Sequence, residues 1–265
     1  MTTGLRPDRG RHLARRIERH LASSPQDCVS REEFRALADD VLGDYHGEET
    51  AERIRESVEA LERPLVVLIG GGTGVGKSTV ATQLAHELGI TRVSSTDFIR
   101  EILRLVVPET IAPELARSSF ELDQSRSSNG ATPHAEFERQ AQQVLVGVQA
   151  TIERAVREGM PLILEGVHLF PGLVDLDAVS DGLVVQVVLT VEDGDDHLHR
   201  FAVRAADSDR PANRYGEEFD EIRELQAHVV ATAHRAGIPV VENRQVDTTV
   251  RQVLDLILAA VSARS

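Results

Sequence analysis

The string Gly71-Gly72-Thr73-Gly74-Val75-Gly76-Lys77-Ser78-Thr79 constrains this chain more than any other feature. Its spacing, Gly-x-x-x-x-Gly-Lys-Ser, is the Walker A pattern, in which backbone N–H groups of a Gly-rich loop wrap phosphates and a helix starts directly behind them. Glycine serves there because the loop takes positive φ and brings its backbone close to an anion. The flanks agree with the motif. The apolar, β-branched run at 65–69 suits a buried parallel strand. Val80, Ala81, Leu84, Ala85 and Leu88 then recur at helical spacing, and Gly89 stands where it would cap that helix. Of the 29 basic residues 28 are arginine, and the one lysine is Lys77. Where lysine persists against such a bias, a compact ammonium with three rotatable donors is required, for which a planar guanidinium is no substitute.

Further strands are expected at 91–96, 161–165, 183–191 and 238–242. Helices are expected at 97–107, 134–158, 218–236 and 248–263, each with an apolar stripe such as Val144, Leu145, Val148, Ile152 and Val156. Alternating strands and helices predict an α/β fold of the P-loop NTPase kind. About five parallel strands would carry helices on both faces, with ligands at the carboxyl ends of the strands. Residues 1–62 differ. They read as three helical stretches, 10–23, 30–43 and 48–62, with no strand, and are taken as a small helical appendage to a P-loop domain over 63–265. The Ser, Asn, Gly and Pro of 125–133 predict a mobile loop.

Composition removes several classes of partner. The chain has 265 residues, 41% of them hydrophobic, which suffices for one substantial domain and an appendage. A net charge of −14 repels nucleic acid and anionic lipid, so neither is an expected partner. The single cysteine, Cys28, forms no internal disulfide. No stretch reaches about 18 apolar residues, and MTTGLRPDRGRHLARR has no signal-peptide core. A soluble, cytoplasmic protein is expected.

Five strings together resemble the 2-phosphoglycerate kinase family. They are GGTGVGKST at 71–79, SSTDFIRE at 94–101, ILEGVHLFPG at 163–172, HRFAVR at 199–204 and RYGEEFDEIRELQ at 214–226. The resemblance covers roughly 60–250 and implies a nucleotide-kinase-like fold that uses ATP and Mg²⁺ to convert 2-phosphoglycerate to 2,3-bisphosphoglycerate. Archaeal members carry an N-terminal nucleotide-binding cone domain, for which residues 1–62 are too short and too purely helical. Two alternatives stand beside this reading. One is a P-loop phosphotransferase acting on a sugar or an antibiotic, and the other is a regulatory P-loop ATPase.

The P-loop layout gives each candidate residue a role. Gly71, Gly72, Thr73, Gly74, Val75, Gly76, Lys77, Ser78 and Thr79 would hold the nucleotide, with Lys77 on the β- and γ-phosphates and Ser78 on Mg²⁺. Asp97, at the end of the second strand, would orient or deprotonate an acceptor hydroxyl, or else cap the next helix. Glu165 ends an apolar strand, where a carboxylate serves Mg²⁺ or the nucleophile better than it serves packing. Arg100, three residues after Asp97, would clamp an anionic acceptor, or pair with Glu101. His168 would contact substrate, or be a hydrogen-bonded structural histidine. Arg200 and Arg204 share a helical face and would stabilise the transferring phosphoryl from a lid over 193–216. The bland reading pairs the arginines of this stretch with Asp207, Asp209, Glu217 and Glu218. The His-Leu-His at 197–199 lacks further metal ligands, and its imidazoles diverge.

Overall fold

Strand β1 (Leu65–Gly71) is buried at every position and runs through the middle of a five-stranded sheet. Around it lie β2 (Val93–Ser95), β3 (Leu162–Glu165), β4 (Leu183–Thr190) and β5 (Val240–Glu242), in the order β2-β3-β1-β4-β5. Every pairing is parallel. The helices are α1 (Lys77–Leu88), α2 (Thr96–Val106), α3 (Ala135–Arg157), α4 (Gly194–Ala206), α5 (Phe219–Arg235) and α6 (Val246–Ser262), with a 3₁₀ turn at Pro113–Ala116. This computed structural model describes residues 30, 50–60, 63–117, 134–175, 179, 181–206 and 219–263.

Strand alternation sends Val66, Leu68, Leu162 and Leu164 to a core shared with Ile99 of α2 and Val144, Val148 and Ile152 of α3. The intervening residues Val67, Ile69, Ile163 and Val187 are fully buried too. Helices α1 and α6 pack on each other, α1 on β1 and β3, and α6 on β4. Burial on both faces is why these strands read as continuous apolar runs. Gly89 closes α1 in the left-handed conformation, at φ 66. Parallel register brings the carboxyl ends into line. Ile69 pairs with Glu165, Ser95 pairs with Glu165, and Gly71 pairs with Leu189.

The expected strands and helices of the P-loop domain are all present, with shifted ends. β2 stops at Ser95 because the Ser95 side chain accepts the Phe98 N–H at 3.2 Å and starts α2 one residue early. The turn at Pro113–Ala116 has no periodic signal in the sequence. The chain divides into two compact units, Met1–Arg53 and Ile54–Ser265. Residues 50–60 are helical, within the stretch expected at 48–62. Apart from Ser30, the stretches expected at 10–23 and 30–43 lie outside the described residues, as does the loop expected at 125–133. Among the described residues no helix is long and apolar enough to cross a membrane.

Candidate active site

The loop from β1 to α1 takes positive φ at Gly71, Gly74 and Gly76. Gly76 precedes α1 without a side-chain cap, so the first-turn amides of α1 remain directed out of the helix as anion donors. At Gly74, φ 82, a Cβ would collide with the Phe201 ring and meet His197 Nε2 at 2.9 Å; glycine lets α4 lie against the loop. Lys77 is buried, and its ammonium donates to the Gly72 carbonyl at 2.6 Å, folded back over the loop it serves. Ser78 donates its hydroxyl to Glu165 Oε1 at 3.0 Å. A hydroxyl and a carboxylate, both hard oxygen donors, thus converge beside the phosphate loop, which fits a Mg²⁺ ion held partly through water. The two side chains expected at the metal stand next to each other in space.

Asp97 lies in the first turn of α2, next to the carboxyl end of β3. The cap is Ser95, so Asp97 is not used for capping. Its side chain is 70% exposed, with Oδ1 3.8 Å from His168 Nδ1. A carboxylate there is accessible to an acceptor.

Two expectations are corrected. His168 does not reach a substrate, because its side chain is fully buried and both ring nitrogens are engaged. Nδ1 lies 2.9 Å from the Thr96 hydroxyl and Nε2 lies 3.1 Å from Gln140 Oε1. Burial pushes its pKa down to about 4, against the pull of Asp97, with Arg100 and Lys77 lowering it further; the ring is neutral near pH 7. Arg100 is not a free clamp. Its Nη1 donates to the carbonyls of Leu115 at 2.7 Å and Arg117 at 3.3 Å, and its Nη2 pairs with Glu101 at 2.6 Å. The bland pairing with Glu101 holds, and the guanidinium also anchors the 3₁₀ turn.

Arg200 stands at the phosphate loop, where its Nη1 donates to the Val75 carbonyl at 3.4 Å and its Nη2 donates to the Asn243 carbonyl. Asn243 itself donates to Val75 at 2.8 Å and is held by the Thr249 hydroxyl at 2.9 Å. His197 reaches the Thr73 carbonyl through Nε2 at 2.8 Å, and its pKa is lowered, chiefly by burial. His199 is exposed, so the two imidazoles do diverge. Among the described residues no group of three or more His, Cys, Asp or Glu could hold a metal. Arg204 lies on α4, but its side chain and the part of the expected lid beyond residue 206 lie outside what is described.

Sequence reasoning missed Gln140, Asn243 and Thr249. Gln140 left a trace: it interrupts the buried stripe of Phe137, Ala141, Val144 and Val148. A polar residue in an apolar stripe needs a partner. Asn243 lies just past β5, at the carboxyl edge where ligands bind, which is a positional signal only.

A family model described as an AAA domain matches residues 67–226. The chain is also similar to the 2-phosphoglycerate kinase of Methanococcus vannielii, 34% identical over 262 residues that cover 96% of this chain and 84% of that one. The protein of the same name from Pyrococcus horikoshii is 35% identical over 97% of this chain and 86% of its own. That of Methanocaldococcus jannaschii is 40% identical over 74% of this chain and 63% of its own. The first two matches take in most of residues 1–62.

Proposed function

This chain belongs to the 2-phosphoglycerate kinase family, whose members are P-loop kinases, and on that premise we propose that it transfers the γ-phosphoryl group of ATP to the free hydroxyl of 2-phosphoglycerate. The acceptor oxygen forms a bond to the γ-phosphorus as the bond to the β,γ-bridging oxygen breaks. ADP leaves with that electron pair, and the hydroxyl proton passes to Asp97. The loop amides of 71–79 and Lys77 bind the β- and γ-phosphates. Lys77 exchanges the Gly72 carbonyl for phosphate oxygen, and Arg200 adds positive charge beside the loop. Arg204 belongs to the same phosphoryl-stabilising group in this reading. Ser78 and Glu165 would hold Mg²⁺, which would supply charge neutralisation at the phosphates. Asp97 orients the acceptor hydroxyl and takes up its proton.

The observation that carries this reading is the Ser78–Glu165 contact of 3.0 Å beside an exposed Asp97. Glu165 ends β3, Ser78 reaches it from the first turn of α1, and Asp97 stands in the first turn of α2 just past β2, the strand next to β3, an arrangement suited to phosphoryl transfer. With Arg100 committed to main-chain carbonyls, recognition of the acceptor's anionic groups falls to other residues. In this reading residues 1–62 are a helical module ahead of the kinase domain, and the reaction runs in the cytoplasm. The test is an acceptor series with ADP detection on the full chain. Turnover should rise above basal ATP hydrolysis with 2-phosphoglycerate and not with neutral polyols or aminoglycosides; a preference for a neutral acceptor overturns the assignment.

A further inference from the structure

We infer that Gln140, far from the phosphate loop in sequence and on a different helix from Asp97, is a positioning residue that sets the acceptor-side carboxylate through His168 and Thr96. The inference rests on the reading of Asp97 as the acceptor-facing group. Its basis is a chain of hydrogen bonds whose donors and acceptors follow from the two carbonyls that the Gln140 amide meets. The Gln140 amide nitrogen donates to the carbonyls of Glu114 at 2.5 Å and Arg117 at 2.9 Å. Its oxygen therefore faces His168, and only a protonated Nε2 can donate to it. The ring is neutral, so Nδ1 carries a lone pair and accepts the Thr96 hydroxyl. Thr96 is the first residue of α2, directly before Asp97.

The surroundings leave this chain little freedom. Gln140 and Thr96 are fully buried, and His168 nearly so. Phe137 lies alongside the imidazole, with ring centroids 6.5 Å apart. Gly166, at φ 150, has no Cβ because the Thr96 hydroxyl occupies that space. The chain also closes on itself. Arg100, one turn further along α2, donates to the same Arg117 carbonyl that Gln140 holds. The first turn of α2 is thus tied at Thr96 and at Arg100, and both ties meet at the turn that α3 grips through Gln140. A buried polar network of this kind costs stability if left half-satisfied and is rigid when complete. The charged groups facing His168 are Asp97, Arg100 and Lys77, so its neutral form also keeps a positive charge away from Asp97.

The test uses Gln140→Leu, Thr96→Val and Thr96→Ser in the full chain. Gln140→Leu and Thr96→Val should each lower kcat with 2-phosphoglycerate by about tenfold or more while KM for ATP stays within about twofold, because a misplaced reacting group costs turnover and not nucleotide binding. Thr96→Ser, which keeps the hydroxyl, should recover most of the rate. The double variant Gln140→Leu/Thr96→Val should be no worse than either single one, since both cut the same chain. Losses that multiply, a KM for ATP that rises in step with the loss of kcat, or a Thr96→Val enzyme at wild-type rate would overturn the inference. Two substrate-free readouts separate its failure from failure of the proposed function. Nitrogen-15 NMR should show His168 as the neutral Nε2–H tautomer in wild type and as a mixture in Gln140→Leu. Amide exchange over 96–98 should be faster in that variant. If wild type ignores 2-phosphoglycerate while both readouts change, the acceptor assignment falls and the positioning role stands. If neither changes, the positioning role falls.

Discussion

The buried imidazole of His168 makes stability depend on pH in a direction and amount that follow from its surroundings. Burial holds its pKa near 4 in the folded protein, whereas the ordinary value is 6.5. Between these values the unfolded chain binds a proton that the native protein does not, so stability falls as pH falls. The contribution is complete above about pH 6.5 and is lost progressively down to about pH 4, with no further loss below. At about 1.4 kcal/mol per pH unit, this one group removes roughly 2 kcal/mol by pH 5 and roughly 3 kcal/mol in all. Other groups titrate in the same range. His197 is shifted in the same direction, and Glu114 and Glu158 are held below the usual carboxylate range. The perturbation is therefore His168→Gln, which retains a donor and an acceptor but does not titrate. Urea unfolding of both proteins at about pH 7.5, 6 and 5 gives two stability curves whose difference isolates the imidazole. Wild type should lead by its largest margin at pH 7.5, and that margin should shrink by about 2 kcal/mol at pH 5. A margin constant to within about 0.5 kcal/mol would mean that the native ring already accepts a proton, and the tautomer argument would fail with it.

Two further outcomes test the phosphate side. Lys77→Arg should impair turnover nearly as much as Lys77→Ala, because the ammonium is buried, 2.6 Å from the Gly72 carbonyl, and a planar guanidinium fork is no substitute for a compact point charge with three rotatable donors; near wild-type kcat in steady-state assays of Lys77→Arg would refute this. Glu165→Gln should raise the Mg²⁺ concentration needed for half-maximal rate by about tenfold or more while the protein still binds nucleotide in the absence of metal, as measured by calorimetry. An unchanged Mg²⁺ titration would remove Glu165 from the metal set.

What is legible in the sequence, and what is not, divides by the range of the interactions involved. The phosphate loop is read from one contiguous string because its geometry is local: glycines at positive φ, a strand before and a helix after. Glu165 is readable because a carboxylate at the end of LeuIleLeu has no packing purpose, and the sheet then sets it against Ser78. Spacing could not choose between the two readings offered for Arg100 and for His168, for one shared reason. Helical spacing assigns Arg100 to a face of α2, but a face does not say what stands opposite. Opposite Arg100 stand the carbonyls of Leu115 and Arg117, at the end of a 3₁₀ turn with no periodic signature. Opposite His168 stand Thr96 and Gln140, each brought there only by the folding of the sheet and α3 around it. Unpaired polar groups at buried positions are costly, so Gln140 within the stripe of Phe137, Ala141 and Val144 requires a partner on the strength of the pattern alone. A histidine three residues beyond a strand-ending glutamate is one candidate for that partner, among many polar groups in the sequence. Arg100, His168 and the buried glutamine overlooked altogether belong to a single hydrogen-bonded unit. The surroundings of Asp97 are organised from the core outward, and surface spacing rules could not have reached them.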